Sequence, residues 1–221
     1  MKTSRARKAF NENCSDIDRL LEIHSDITPE GRGRKWKVEA LHKSAFVLIT
    51  AFWEAFCEDL AAEVLDHLVK HSASASSLPS ELQKLVAREL KGDAHDLAVW
   101  QLADNGWRNV LLSRLAKLQE DRNRKLNTPK TAQIDDLFKN AVGIENISRA
   151  WHWSGMKIAS AATKLDDFVT LRGEIAHRGS AAKSVTKQHV TDYYNHVKRL
   201  TGRTEMRVAE AITTSTGKTP W

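Results

Sequence analysis

Arg172 and His177 are the two side chains in this sequence best suited to chemistry on an anionic substrate. The residues Leu165, Phe168, Val169, Ile175 and Ala176 fall on one arc of a helix at about 100° per residue, and Arg172 lies near the middle of that arc. A guanidinium on an apolar stripe needs a carboxylate, a bound anion or a cleft open to solvent, because burying it unpaired costs several kcal/mol or more. His177 follows five residues later, about 140° around the helix and at the flank of the same arc, shortly before Gly179 can end the helix. A cation that can clamp a phosphate and an imidazole that can move a proton at neutral pH suit phosphoryl transfer.

A carboxylate that could answer Arg172 stands in an earlier helix. From Phe46 to Leu68, the residues Phe46, Ile49, Trp53, Phe56, Cys57, Leu60, Val64 and Leu68 share a face that Val47, Ala61 and Leu65 widen on one side. Glu54 projects into the widened side. Either Glu54 pairs with Arg172, each relieving the other's desolvation, or it sits at the edge of the stripe and reaches water.

The segment Leu171-Arg172-Gly173-Glu174-Ile175-Ala176-His177-Arg178-Gly179, together with the helix Ser44 to Phe56 and its Glu54, resembles the HEPN superfamily, and most of all its RiboL-PSP-HEPN type. The likeness spans roughly Lys37 to Leu200. It implies an all-α, HEPN-like helical bundle, here with additional helices. It also implies a homodimer formed through the motif helix and a metal-independent endoribonuclease that needs no cofactor. Arg172 would hold the phosphorane, His177 would act as base or acid, Glu54 would orient Arg172, and Arg178 would steer the RNA strand. Attack by the 2′-hydroxyl would leave a 2′,3′-cyclic phosphate and a 5′-hydroxyl, a route closed to DNA. The resemblance further implies a toxin or phage-defence effector with an antitoxin or defence-system partner. Active relatives commonly carry a polar residue directly after the arginine, where this chain has Gly173. Some toxins of the superfamily are silenced through a tyrosine two residues after the histidine, a position held here by Gly179. A non-catalytic RNA-binding module and a protein-interaction module remain as alternatives.

Composition fits a basic, helical protein. The chain has 221 residues, 41% of them hydrophobic, and a formal charge of +6, which favours anionic partners without naming one. Arg32, Arg34, Lys35, Trp36 and Lys37 place four cations around an aromatic, and Arg114, Lys117, Arg122, Arg124 and Lys125 crowd the end of another helix. Such clusters hold RNA phosphates, with Trp36 able to stack on a base, or else form a solvated linker and helix face. Most of the seven tryptophans, Trp53, Trp100, Trp107, Trp151 and Trp153 among them, are expected to anchor the core.

Several chemistries lack their residue patterns. His67 and His71, or His189 and His196, share helix faces without completing a ligand set, so no metal site is expected. Cys14 and Cys57 have neither disulfide nor nucleophile context. Gly217-Lys218-Thr219 lacks the glycine five residues before it, and the strand, that a phosphate loop requires. Neither a stretch of about 18 apolar residues nor a secretory leader occurs, so a cytoplasmic protein without membrane contact is expected.

Helical periodicity covers almost the whole chain. Helices are expected over about Ser4–Ser25, Trp36–His71, Pro79–Gly92, Leu97–Leu102, Trp107–Leu126, Asn127–Val142, Ala159–Arg178 and Thr186–Thr213. The organisation read from this is an N-terminal helical arm and basic linker at 1–35 and a helical domain at 36–212 with an insertion at about 72–105. A flexible tail follows at 213–221.

Overall fold

The computed structural model describes residues 2–27, 38–120, 128–178 and 184–221, with side chains for all of these except 24–27 and 178. Seven α-helices account for the described architecture: α1 (Arg5–Ile27), α2 (Glu39–His71), α3 (Ser80–Lys91), α4 (Gly106–Glu120), α5 (Thr131–Val142), α6 (Ile158–Arg178) and α7 (Lys187–Thr216). No strand occurs among the described residues, where Trp153 and Met156 form only an isolated bridge. The protein is an all-α bundle.

The central element is α2, which packs against α1, α4, α5, α6 and α7. Its sequence explains that place. Besides the expected face, Ala62, Val69, His42, Glu58 and His67 are also buried, so α2 is covered nearly all round, as a helix apolar on every side must be. Glu63 of α2 accepts the backbone N–H groups of Arg5 and Ala6, satisfying donors that the first turn of α1 cannot pair internally. Farther along, Phe10 meets Phe56 edge-on at 5.8 Å. Contacts that ascend α1 therefore descend α2, and the two helices run antiparallel.

Two buried tryptophans hold the middle of the bundle. Trp53 donates to the Pro129 carbonyl at 3.2 Å, and Trp151 donates to Thr204 Oγ1 at 2.9 Å, while the two rings lie 5.9 Å apart. Each indole thus buries a large apolar area and still satisfies its N–H. Asp166 of α6 accepts from both the backbone N–H and the hydroxyl of Thr131, fixing the start of α5 against α6.

Some expectations need correction. Trp100 is 71% exposed, not a core anchor. Its segment forms a 3-10 helix at Ala98–Leu102, whose tighter winding buries Ala98 and turns the indole outward. Ala176, placed on the apolar arc of α6, is exposed, whereas Ile175 beside it is buried. Toward the C-terminus, α7 continues to Thr216, and Trp221 packs against the core beyond the helix cap at Gly217. The basic segment Arg32, Arg34, Lys35, Trp36 and Lys37 lies outside the described residues, as do Arg122, Arg124, Lys125 and the side chain of Arg178. Both cysteines are free and buried.

Candidate functional site

The motif arginine sits where α6 meets α2 and α7. Leu165 and Val169, both buried, seat α6 on the bundle, and Phe168 between them stacks on Tyr193 of α7 at 4.5 Å. Phe168 also meets Phe46 of α2 edge-on at 5.8 Å, so one aromatic ring registers α6 against both neighbours. One turn later comes Arg172, half-buried, its Nε fully buried and without a hydrogen-bond partner.

Glu54 lies within the electrostatic reach of Arg172, but the two do not form an ion pair. Burial and, next, the charge of Glu58 one turn along α2 push the Glu54 carboxyl up to about 7; Arg172 pulls it down by less. The expected pair is therefore a proximity and not a closed contact. Glu58 itself is buried, and with Glu54 it drives the intervening Cys57 thiol well above its ordinary range, after burial as the first cause.

Two residues of the site escaped the sequence reading. Tyr193, fully buried, brings its hydroxyl to 2.9 Å from Thr50 Oγ1. Burial raises the Tyr193 phenol far above its ordinary value, while the Thr50 hydrogen bond and Arg172 act the other way. By spacing, Tyr193 looks like any core-facing ring of α7. Thr50 carried a usable signal: it is a polar residue on the apolar side of α2, one turn before Glu54.

His177 is exposed on the last turn of α6. Helix geometry sets it about 7.5 Å along the axis from Arg172 and about 140° around. Among the described residues, a Cβ at Gly173 would meet nothing within 4 Å outside its own helix. Two cavities, of about 450 and 620 Å³, lie elsewhere and are lined by no residue of α6.

Among the other histidines, His67 and His71 lie 4.5 Å apart with their rings tilted by 43°, but no group of three or more metal-binding side chains occurs among the described residues. His189 serves the N-terminus of α7, where its backbone N–H bonds to Thr186 Oγ1. His196 is buried and donates Nε2–H to the Ala161 carbonyl at 3.0 Å. No helix among the described residues is long and apolar enough to cross a membrane.

An all-α bundle with arginine and histidine five residues apart at the end of a late helix agrees with the resemblance to the HEPN superfamily. Residues 9–205 match the RiboL-PSP-HEPN family, and the chain belongs to it. Comparisons with curated proteins and with solved structures gave no match.

Proposed function

We propose that this protein is a metal-independent endoribonuclease of HEPN type, active as a homodimer joined through α6, and that it serves as a toxin or phage-defence effector held by an antitoxin or defence-system partner. The observation that carries the reading is the pairing of Arg172, a cation with no closed ion pair, with the exposed His177 on one helix of a HEPN chain. In the reaction, a base removes the 2′-hydroxyl proton and the 2′-oxygen bonds to the adjacent phosphorus. The bond from phosphorus to the 5′-oxygen then breaks, and an acid protonates the leaving oxygen. His177 of one protomer and its symmetry mate supply the two proton transfers. Arg172 neutralises the charge of the phosphorane, and Glu54 tunes Arg172. Arg178 and the basic residues Arg32, Arg34, Lys35 and Lys37, with Trp36 stacking on a base, hold the RNA.

A second reading is favoured by Gly173, which stands where active relatives commonly have a polar side chain: a HEPN module that binds RNA or protein without cutting. End-labelled single-stranded RNA incubated in EDTA with the parent and with His177→Ala separates the two. Cleavage by the parent alone, leaving cyclic phosphate ends, is expected. An intact strand that is bound with strong salt dependence would establish the binding module instead.

A further inference from the structure

Tyr193 is the residue through which α7 meets both α2 and α6 near the motif arginine. Tyr193 has no exposed surface, and its ring lies between Phe168 at 4.5 Å and Phe46 at 4.7 Å. Phe168 precedes Arg172 by four residues, so the two project from the same face of α6. The stack on Tyr193 therefore sets the height at which Arg172 meets α7.

Hydrogen-bond polarity constrains the Tyr193 oxygen. A threonine hydroxyl has one proton, and Thr50 Oγ1 lies 3.2 Å from the Phe46 carbonyl, which can only accept it. In the 2.9 Å contact between Thr50 and Tyr193 either hydroxyl can donate, and when Thr50 donates to Phe46 the phenol donates to Thr50. The lone pairs of the phenol oxygen then remain available. Arg172 is near enough to act on Tyr193 electrostatically, and its Nε–H is buried with no acceptor. A buried donor without an acceptor and a hydroxyl oxygen that can accept thus belong to one cluster of α2, α6 and α7.

We propose that Tyr193 is the positioning residue of the motif arginine: its phenol oxygen, oriented by Thr50, accepts the Arg172 Nε–H and leaves both Nη groups to meet a phosphate. The hydrogen bond itself needs no activity to be tested, and its consequence for catalysis rests on the ribonuclease reading. Tyr193 does not touch the reacting atoms. It acts through Arg172, whose planar fork is effective only when aimed.

Tyr193→Phe keeps the ring stack and removes only the hydroxyl. Nitrogen-15 NMR would follow the Arg172 Nε–H resonance, assigned by its loss in Arg172→Lys. The expected result is a resonance protected from solvent exchange in the parent, and shifted and unprotected in Tyr193→Phe. An identical resonance in both would overturn the proposal. In the cleavage assay, Tyr193→Phe should lower kcat about tenfold or more with KM unchanged, as expected for loss of a hydrogen bond to a charged group. Thr50→Val should act in the same direction and Thr50→Ser should restore the parent behaviour; these two carry the test if Tyr193→Phe fails to fold. Equal kcat in parent, Tyr193→Phe and Thr50→Val would also overturn it. A parent that does not cut RNA would sink the ribonuclease reading, and the NMR result alone would then decide the role of Tyr193.

Discussion

Arg172 draws Glu54 toward its carboxylate form without closing an ion pair on it. The balance between the two is set on α2, where burial and Glu58 both favour the neutral acid, and together they outweigh the guanidinium. Glu54 is thus a group whose charge is disfavoured by the fold that holds it.

Replacing Glu54 by Gln should therefore stabilise the protein at high pH. The Glu54 carboxyl titrates at about 7 in the fold against an ordinary 4.5. A carboxyl raised in this way keeps its proton in the folded state while the unfolded chain has lost it, so stability falls as pH climbs through that window and levels off above it. Glu54→Gln removes the effect. Urea unfolding should find the variant more stable than the parent by about 1–2 kcal/mol at pH 8, after discounting for solvent screening of this half-buried group, and equal to it at pH 4. A variant less stable at pH 8 would mean that Glu54 and Arg172 form a closed pair in solution.

His196 should give the opposite slope. Burial lowers its pKa from 6.5 to about 4, with the Ala161 carbonyl opposing. A histidine held neutral in the fold contributes stability that is complete above its unfolded pKa and is lost as pH falls from 6.5 toward 4. His42 and His67, also lowered by burial, add to the same trend. In the Glu54→Gln background, stability should drop by about 2–3 kcal/mol between pH 7 and pH 4. His196→Gln should make that slope shallower, though at pH 7 it also loses packing against Trp153 and Phe168. An unchanged slope would show that His196 is not held neutral.

What the sequence made legible was largely what a helix does alone. The apolar face of α2 from Phe46 to Leu68 and the inward residues of α7 from Val190 to Leu200 are buried as their spacing implies. So is the closure of α5 at Gly143, because a left-handed cap follows from local chemistry. Trp100 was not legible, since its apolar neighbours read alike in α and 3-10 windings but point to different sides. Nor was the meeting of Thr50 with Tyr193, residues 143 positions apart, which depends on how α7 lies along α2. The nearness of Glu54 to Arg172 could be read from two helical wheels. Its unclosed geometry could not, because it depends on how deeply α6 and α2 pack, and burial, with Glu58 second, is what disfavours the Glu54 charge.

Gly143 should not tolerate a side chain. It closes α5 at φ 73°, with its N–H bonded to Lys139 O at 2.9 Å and that of Ile144 to Phe138 O at 3.2 Å. A Cβ there would lie 2.5 Å from the backbone nitrogen of Leu82. Left-handed strain and displacement of α3 together should make Gly143→Ala destabilising by at least about 2 kcal/mol in thermal or urea unfolding. A loss below half of that would mean that α3 shifts freely away from α5.

Gly173 should behave in the contrary way, and its replacement reaches the function. It lies inside α6 at a helical backbone, with no atom of the described residues outside its own helix within 4 Å of a built Cβ, so neither packing nor φ requires glycine. Gly173→Ala should stabilise the protein by about 0.5–1 kcal/mol, because glycine loses more backbone entropy in a helix. Gly173→Asn should also fold at least as well as the parent, since asparagine is the better helix former of the two. It places beside Arg172 the kind of polar side chain that active HEPN relatives carry at this point. If the site is a ribonuclease limited by that gap, Gly173→Asn should cleave RNA faster than the parent in EDTA, and His177→Ala in the same background should abolish the gain. A Gly173→Asn variant that folds, binds RNA and cuts no faster would show that the residue after the arginine does not limit this site.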